Sequence, residues 1–224
     1  MFFKPLQNLK YMLYILKKNM GCIMVRIAEF IKSILAGMAI SLGGAVYLSC
    51  ENKYVGAFFF CVGLITVVYF GLNLYTGKVG YLLDNNKTFF IDTLLSVFGN
   101  ALGCLAFAFL KSPINKVVTM VATKLEKAPL QVFFDGILCG VLIFICVDVF
   151  KKKNTVVAIL FCVPTFILCG FEHSIADMFY IFNARNFSAK AFLFLLLVVL
   201  GNAVGGLIFP ILLKAYNKLN KTNK

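Results

Sequence analysis

The chain has 224 residues, of which 61% are hydrophobic and 14% are charged, and its mean hydropathy is +0.92. A soluble domain is nearer half apolar and a quarter charged, and one soluble core of this size cannot absorb the excess, so the sequence predicts an integral membrane protein. The formal net charge of +13 could also suit a nucleic-acid binder. The basic residues interrupt long apolar runs, however, which is typical of membrane topology, and we expect no nucleic-acid partner.

The N-terminal segment, residues 1–26, is predicted to be an amphipathic basic helix that lies on the cytoplasmic surface of the membrane. It does not resemble a signal peptide, because its longest uncharged apolar stretch, Tyr11–Leu16, is too short and no small-residue cleavage site follows.

Six later segments meet or approach the ~20 mostly apolar residues that a membrane helix needs. They form a predicted six-span domain over residues 27–215, and residues 216–224 form a basic cytoplasmic tail. The fifth segment is interrupted near Glu172 and His173. The six predicted spans are Ile27–Cys50, Tyr54–Thr76, Phe89–Leu110, Pro129–Phe150, Asn154–Phe182 and Ala191–Leu213.

The basic residues orient these spans. An even number of spans places both termini on one side, and that side receives 15 of the 22 Lys and Arg residues. The other side receives Lys53, Lys111, Lys116, Lys124, Lys127, Arg185 and Lys190. The positive-inside rule therefore predicts a multi-pass protein of the cell membrane with both termini in the cytoplasm.

The two halves of the domain repeat one another. The pentapeptide Gly99–Gly103 (GNALG) returns 102 residues later as Gly201–Gly205 (GNAVG), and two further glycine pairs recur at an offset of 99 residues. The alternative to a duplication is that these glycines match by chance. Because each repeat contains an odd number of spans, three, the second copy is predicted to be inverted in the membrane. The two repeats cover about residues 27–110 and 129–215. Inverted repeats place the substrate path at their interface, often at broken helices, and we expect breaks in spans two and five.

The polar residues of the fifth span are the main functional signal, because ionisable groups at membrane depth are costly. His173 either lines a pathway or bonds to the backbone that the break frees. For Glu172 and Asp177 a structural role is favoured, either capping free N–H groups or pairing with a neighbouring subunit. With one His and no CxxC pair, we expect no metal, no cofactor and no catalytic residue.

Four segments resemble the formate–nitrite transporter family. Gly170–Phe179 (GFEHSIADMF) is similar to the family's GFEHSIANMF signature, and Leu74–Gly77 (LYTG) to the LFT[GS] of its Ω-shaped loop. Phe133–Gly140 (FFDGILCG) resembles FLRGILCN, and Gly201–Gly206 (GNAVGG) resembles the closing GNxxGG. The first motif is long and specific, and the resemblance covers residues 27–215.

The resemblance implies an all-α, aquaporin-like protomer, with two inverted three-helix repeats, that assembles as a homopentamer in the lipid bilayer. It also implies a substrate pathway formed by His173, which contacts Thr76, together with Asn202 and a vestibule lysine, Lys124. Apolar constrictions flank the His. Of these, Phe60, Leu64 and Phe166 are expected at the inner constriction, and Leu74 and Tyr75 beside the loop.

Three departures from the family pattern bear on the substrate: Gly140 replaces an Asn and removes a pore-side amide, Tyr75 replaces Phe, and Asp177 replaces Asn. The function implied is a channel or transporter for small monovalent weak-acid anions such as formate or nitrite, which cross with a proton. A hydrosulfide channel and a non-transporting membrane scaffold remain as alternatives. An intramembrane enzyme lacks a catalytic constellation, and a water channel would need paired Asn-Pro-Ala motifs.

Overall fold

The computed structural model of the protein describes residues 4–110 and 115–222, with side chains over 24–110 and 116–220. Lys111, which contributes to the predicted charge asymmetry, lies outside the described residues. Within these ranges the regular secondary structure is all helical and includes one 3-10 helix, Val79–Asp84. The α-helices are α1 Lys4–Ser49, α2 Lys53–Phe59, α3 Cys61–Tyr69, α4 Tyr75–Lys78, α5 Lys87–Leu110, α6 Asn115–Leu125, α7 Pro129–Lys153, α8 Val157–Cys169, α9 Ser174–Asn183 and α10 Ala189–Thr222.

Four of the described helices are long and apolar enough to cross a membrane. These segments are Met24–Ser49, Lys87–Leu110, Pro129–Lys153 and Ala189–Asn220. A fifth span is formed if α8 and α9, which meet at an angle of 56°, count as one broken helix. The predicted second span corresponds to the shorter pair α2 and α3, which covers Lys53–Tyr69.

The helix ends follow from local sequence. Asn52 begins α2, since its side-chain oxygen accepts hydrogen bonds from the backbone N–H groups of Tyr54 and Val55 at 2.9 and 3.3 Å, which helix starts otherwise lack. α8 ends at Gly170, whose φ of 72° lies in the left-handed region that glycine adopts without steric cost. The boundaries at residues 26 and 215 do not coincide with helix ends, since α1 continues across residue 26 and α10 continues across residue 215.

Two helix pairs, α1 with α5 and α7 with α10, form the closest contacts of the fold. They meet through the last glycine of each GNAxG segment. A Cβ atom on Gly103 would lie 2.0 Å from the carbonyl oxygen of Ile34, and one on Gly205 would lie 1.9 Å from that of Ile137. Any larger side chain would therefore push the helices apart, as expected for small residues at membrane helix contacts.

Large apolar side chains cover the outside of the bundle. Phe98, Phe161 and Phe192 are each more than two thirds exposed. Such a surface is unfavourable in water and suits a bilayer or neighbouring subunits. Of the cysteines, seven are described, and these seven carry free thiols, four of them buried.

Candidate functional site: a buried Thr–His pair between two pockets

His173 lies where the fifth apolar segment is interrupted, between the end of α8 and the start of α9. It is 2% exposed. Its Nδ1 accepts a hydrogen bond from the backbone N–H of Ala176 at 3.2 Å and so caps α9. A nitrogen that accepts carries no proton, so in the neutral ring the proton resides on Nε2. Protonating Nδ1 would remove this cap.

Thr76 lies directly opposite the imidazole. The chain is non-helical from Leu72 to Leu74 after α3, and α4 then begins at Tyr75. The Thr76 hydroxyl oxygen lies 2.9 Å from Nε2 of His173, and with the tautomer above, the imidazole donates and the hydroxyl accepts. The structure therefore brings together two residues that are 97 positions apart and were both predicted from sequence.

Two asparagines hold the two non-helical segments in place. Asn202 Oδ1 accepts from the Ser174 N–H at 2.9 Å, and its Nδ2 donates to the carbonyl oxygens of Gly136 and Glu172 at 2.8 and 2.9 Å. Asn202 is fully buried, and these bonds go to backbone groups. It therefore lies in the protein interior beside the break between α8 and α9, and it positions the backbone that carries His173.

Asn100 makes the matching set of contacts in the other half. Its Oδ1 accepts from the Tyr75 N–H at 2.9 Å, and its Nδ2 donates to the carbonyl oxygens of Ser33 and Asn73 at 2.7 and 2.9 Å. Sequence reasoning did not include Asn100 among the site residues. The GNAxG repeat could have identified it, because Asn100 and Asn202 occupy the same place in that motif.

A pocket of about 340 Å³, here called the Lys124 pocket, lies on one side of His173. Its lining includes Tyr47, Lys124, Phe166, His173 and Asp177. A second pocket of about 400 Å³, the Lys78 pocket, has Glu29, Leu64, Leu74 and Lys78 among its lining residues.

The two pockets lie near opposite ends of Met24–Ser49, the part of α1 that is long and apolar enough to cross a membrane. Glu29 lines one pocket and Tyr47 lines the other, and at 1.5 Å per helical residue these positions are about 27 Å apart. That separation approaches the thickness of the hydrocarbon core of a bilayer, about 30 Å.

Aromatic and aliphatic side chains fill the region around the Thr–His pair. Phe166 stacks on the imidazole of His173 with ring centroids 5.6 Å apart and packs edge-on against Phe60 at 5.9 Å. Phe60, Leu64 and Leu74 are each about 1% exposed. The backbone is held here as well, since the Tyr75 hydroxyl donates to the carbonyl oxygen of Val199 at 3.1 Å.

Phe166 and Leu64, which were both expected at the inner constriction, line different pockets. Phe166 lines the Lys124 pocket, and Leu64 lines the Lys78 pocket. Sequence spacing does not separate these two levels, because α2 ends just before Phe60 and α3 begins just after it.

Gly140, one of the departures from the family pattern, lies at a helix contact. A Cβ atom on Gly140 would lie 2.5 Å from the carbonyl oxygen of Asn202 and 2.9 Å from the amide nitrogen of Gly206. The position is a contact between α7 and α10, and glycine allows the two helices to pack closely there.

The acidic residues form an ion network with two lysines of the same chain. Lys124 Nζ contacts a Glu172 carboxylate oxygen and lies 3.0 Å from Asp177 Oδ1. Lys127 Nζ lies 2.7 Å from both Glu172 Oε1 and Asp135 Oδ2. Glu172 is fully buried and Asp177 is 1% exposed. These pairs occur within one subunit, whereas the sequence left open pairing with a neighbour.

The network also changes the pKa of its two lysines, which lie outside the spans. Burial lowers the pKa of Lys124, but the carboxylates of Asp177 and Glu172 outweigh burial, and the pKa is raised. Burial likewise opposes the charge of Lys127, and the Glu172 and Asp135 carboxylates raise its pKa overall. Both lysines therefore remain charged. Sequence reasoning missed Lys127 and found no partner for Asp135.

Comparisons with known proteins agree with this architecture. The sequence model of the formate/nitrite transporter family matches residues 22–216. An uncharacterized transporter of Bacillus subtilis, YwcJ, is 27% identical over 195 residues, which cover 74% of this chain and 76% of YwcJ. A formate-nitrite transporter of Plasmodium falciparum is 27% identical over 227 residues, which cover 79% of this chain and 73% of that protein.

Two solved structures share the fold. One is described as a pentameric formate channel with formate bound, and it superposes with a TM-score of 0.70 at 21% identity, covering 89% of this chain and 98% of its own. The other, described as an FNT family ion channel, gives a TM-score of 0.71 at 21% identity and covers 89% and 92%.

The fold and these relatives define a multi-pass membrane channel or transporter, and not an enzyme. Because the family model covers residues 22–216, the chain belongs to the formate/nitrite transporter family.

Proposed function

We propose that the protein carries small monovalent weak acids, such as formate or nitrite, across the membrane together with a proton. The observation that supports this most directly is the arrangement of the site. A buried, apolar region with a Thr–His pair lies between two pockets, which are near opposite ends of the Met24–Ser49 part of α1. Both pockets are large enough for a small carboxylic acid.

The proposed topology has six spans in two inverted repeats, in an aquaporin-like protomer. α1, the broken α2–α3 segment with α4, and α5 form the first repeat. α7, the broken pair α8–α9, and α10 form the second. The matching contacts of Asn100 and Asn202 support this assignment, because each asparagine bonds to the broken segment of its own half.

The orientation rests on the positive-inside rule and remains a proposal: both termini in the cytoplasm of the cell and the Lys124 pocket on the outer side. Contacts between predicted outer residues are consistent with it, since Lys116 bonds to the Cys50 carbonyl at 3.0 Å and Lys190 pairs with Glu126 at 2.8 Å. Assembly as a pentamer is proposed because one structure with the same fold is a pentameric formate channel.

Transport as the neutral acid follows from the cost of desolvation. Taking a bare carboxylate out of water into an apolar region costs several kcal/mol or more. The same environment raises the pKa of a carboxylic acid substrate, because a low dielectric disfavours the charged form. An anion that loses its water near Phe166 therefore gains a proton and passes Thr76 and His173 as the neutral acid.

Water is the favoured source of that proton. His173 Nδ1 is occupied by the Ala176 N–H, and Nε2 faces Thr76. A neutral imidazole has no acidic proton to give, and the imidazolium form needs a proton on Nδ1, which would remove the bond that fixes the helix start. We therefore assign His173 and Thr76 the role of a polar step for the neutral substrate.

The test is stopped-flow uptake into liposomes that contain the purified protein. Formate, nitrite, lactate and hydrosulfide are each supplied with and without an inward proton gradient, and uptake faster with the gradient is expected. Thr76→Val, which removes the hydroxyl opposite His173, is expected to slow uptake. Thr165→Val is the matched control, because Thr165 is an exposed helical threonine that bonds only to the Phe161 carbonyl.

An electrogenic anion current that ignores the pH gradient would refute the neutral-acid mechanism. Uptake of hydrosulfide alone would establish the hydrosulfide alternative. No uptake by folded protein would favour the non-transporting scaffold.

A further inference from the structure

Asp177 occupies an unusual position in the Lys124 pocket. Its Oδ1 lies 3.0 Å from Lys124 Nζ, while Oδ2 is buried and has no hydrogen-bond partner among the described residues. The side chain is 1% exposed and lines the same pocket as His173. An unsatisfied carboxylate oxygen is costly to bury, so this position carries an energetic penalty that packing alone does not explain.

Lys124 has few ways left to bind an external anion. An ammonium group has three N–H donors. One contacts Glu172 and one is directed at Asp177, and the group lies 5.9 Å from the centroid of the Tyr180 ring. A substrate carboxylate presents the same chemical group as Asp177, so it must either displace Asp177 or bind without the lysine.

The charges around the pocket make displacement harder. The network contains two lysines, Lys124 and Lys127, and three carboxylates, those of Asp135, Glu172 and Asp177. Both lysines are therefore already paired with carboxylates, and an incoming anion meets no free lysine in this network. Like charges at short distance in a low dielectric repel strongly.

We propose that Asp177 is a tethered competitor for Lys124 that sets the selectivity of this pocket against small anionic carboxylates and oxyanions. The inference rests on the proposed function, because it assigns a role within the same pathway. Glu172 is the structural partner, since it bridges both lysines. Of the two lysines, Asp177 contacts only Lys124. Its carboxylate can therefore be removed with the least effect on the rest of the network.

The test is Asp177→Asn, which keeps the size of the side chain and removes its charge. We expect the half-saturating formate concentration for uptake at fixed pH to fall about tenfold, since a bond to a charged group contributes a factor of that order. Inhibition by chloride and nitrate is expected to strengthen in parallel. Glu126→Gln is the control, because Glu126 pairs with Lys190 on the exposed surface.

A double-mutant cycle assigns the effect to the lysine. In a Lys124→Met background, Asp177→Asn is expected to leave the half-saturating concentration unchanged. Asp177→Ser repeats the test if the Asn variant does not fold. An unchanged half-saturating concentration in Asp177→Asn, with wild-type protein transporting formate, would overturn the inference and leave the proposed function intact.

A binding measurement distinguishes a failure of the proposed function from a failure of the inference about Asp177. If no variant transports formate, the proposed function is wrong, and the inference is then decided by the rise in melting temperature that formate causes in detergent. A larger rise for Asp177→Asn than for wild type supports competition at Lys124. An equal rise, or none in either protein, overturns it.

Discussion

Replacing Asn202 by Ala tests whether one buried side chain organises the break in the fifth apolar segment. The substitution removes hydrogen bonds to the Ser174 N–H and to the carbonyl oxygens of Gly136 and Glu172, at 2.8–2.9 Å. A net loss of about 1 kcal/mol for each bond gives about 3 kcal/mol. For a chain of this size, each kcal/mol lowers the melting temperature by about 2–4 °C, so a decrease of about 6–12 °C is expected.

The assay is thermal unfolding of detergent-solubilised protein, followed with a thiol-reactive fluorophore. It suits this chain because Cys61, Cys104, Cys139 and Cys146 are buried free thiols that react only after unfolding. The control is Asn86→Ala, which removes one exposed bond to the Phe89 N–H and is expected to lower the melting temperature by only a few degrees.

Asn100→Ala extends the same reasoning to the other half of the molecule. Asn100 makes an equivalent set of buried backbone bonds, so a decrease similar to that of Asn202→Ala is expected. If both variants have the same melting temperature as the Asn86→Ala control, the asparagines do not support the broken segments. The argument from the matching contacts of Asn100 and Asn202 then fails.

Three further outcomes are expected. His173→Phe keeps the assembly, because the new ring can stack on Phe166, but it changes flux or selectivity through loss of the Thr76 bond; unchanged flux in liposomes would reduce His173 to a structural role. Gly140→Asn lowers the melting temperature by about 2–12 °C, since its Cβ atom meets the backbone of α10 at 2.5 Å and overpacking costs about 1–3 kcal/mol; an unchanged melting temperature would contradict this packing. The raised pKa values of Lys124 and Lys127 mean that their ion pairs contribute fully below the ordinary lysine pKa of 10.5 and are lost as the pH rises above it; a melting temperature that is already falling between pH 7 and 9 would contradict this sign.

Much of the architecture can be read from local sequence. The apolar spans are predictable because lipid requires uninterrupted apolar helices. The break near His173 follows from polar residues and a glycine in an otherwise apolar run. The GNAxG repeat and the GFEHSIADMF segment indicated the duplication and the family, and the family membership is confirmed.

The contacts across the bundle could not be read in this way. Lys124 and Glu172 are 48 positions apart and Asn100 and Ser33 are 67 apart, and no local pattern specifies which faces of two helices meet. For the same reason the sequence did not show that Phe166 and Leu64 line different pockets, or that Gly140 packs against α10. Each depends on the rotation of a helix and on what lies opposite it.

The amino-acid sequence by itself determined that this protein spans a membrane, that its helices break beside Thr76 and His173, and that it belongs to a transporter family. Those properties depend on composition and on short motifs. Only the tertiary structure decided that the carboxylates of Glu172 and Asp177 pair with Lys124 in the same chain. The physical reason is that a buried charge requires an opposite charge within a few ångströms, and that distance is set by the packing of helices remote in sequence.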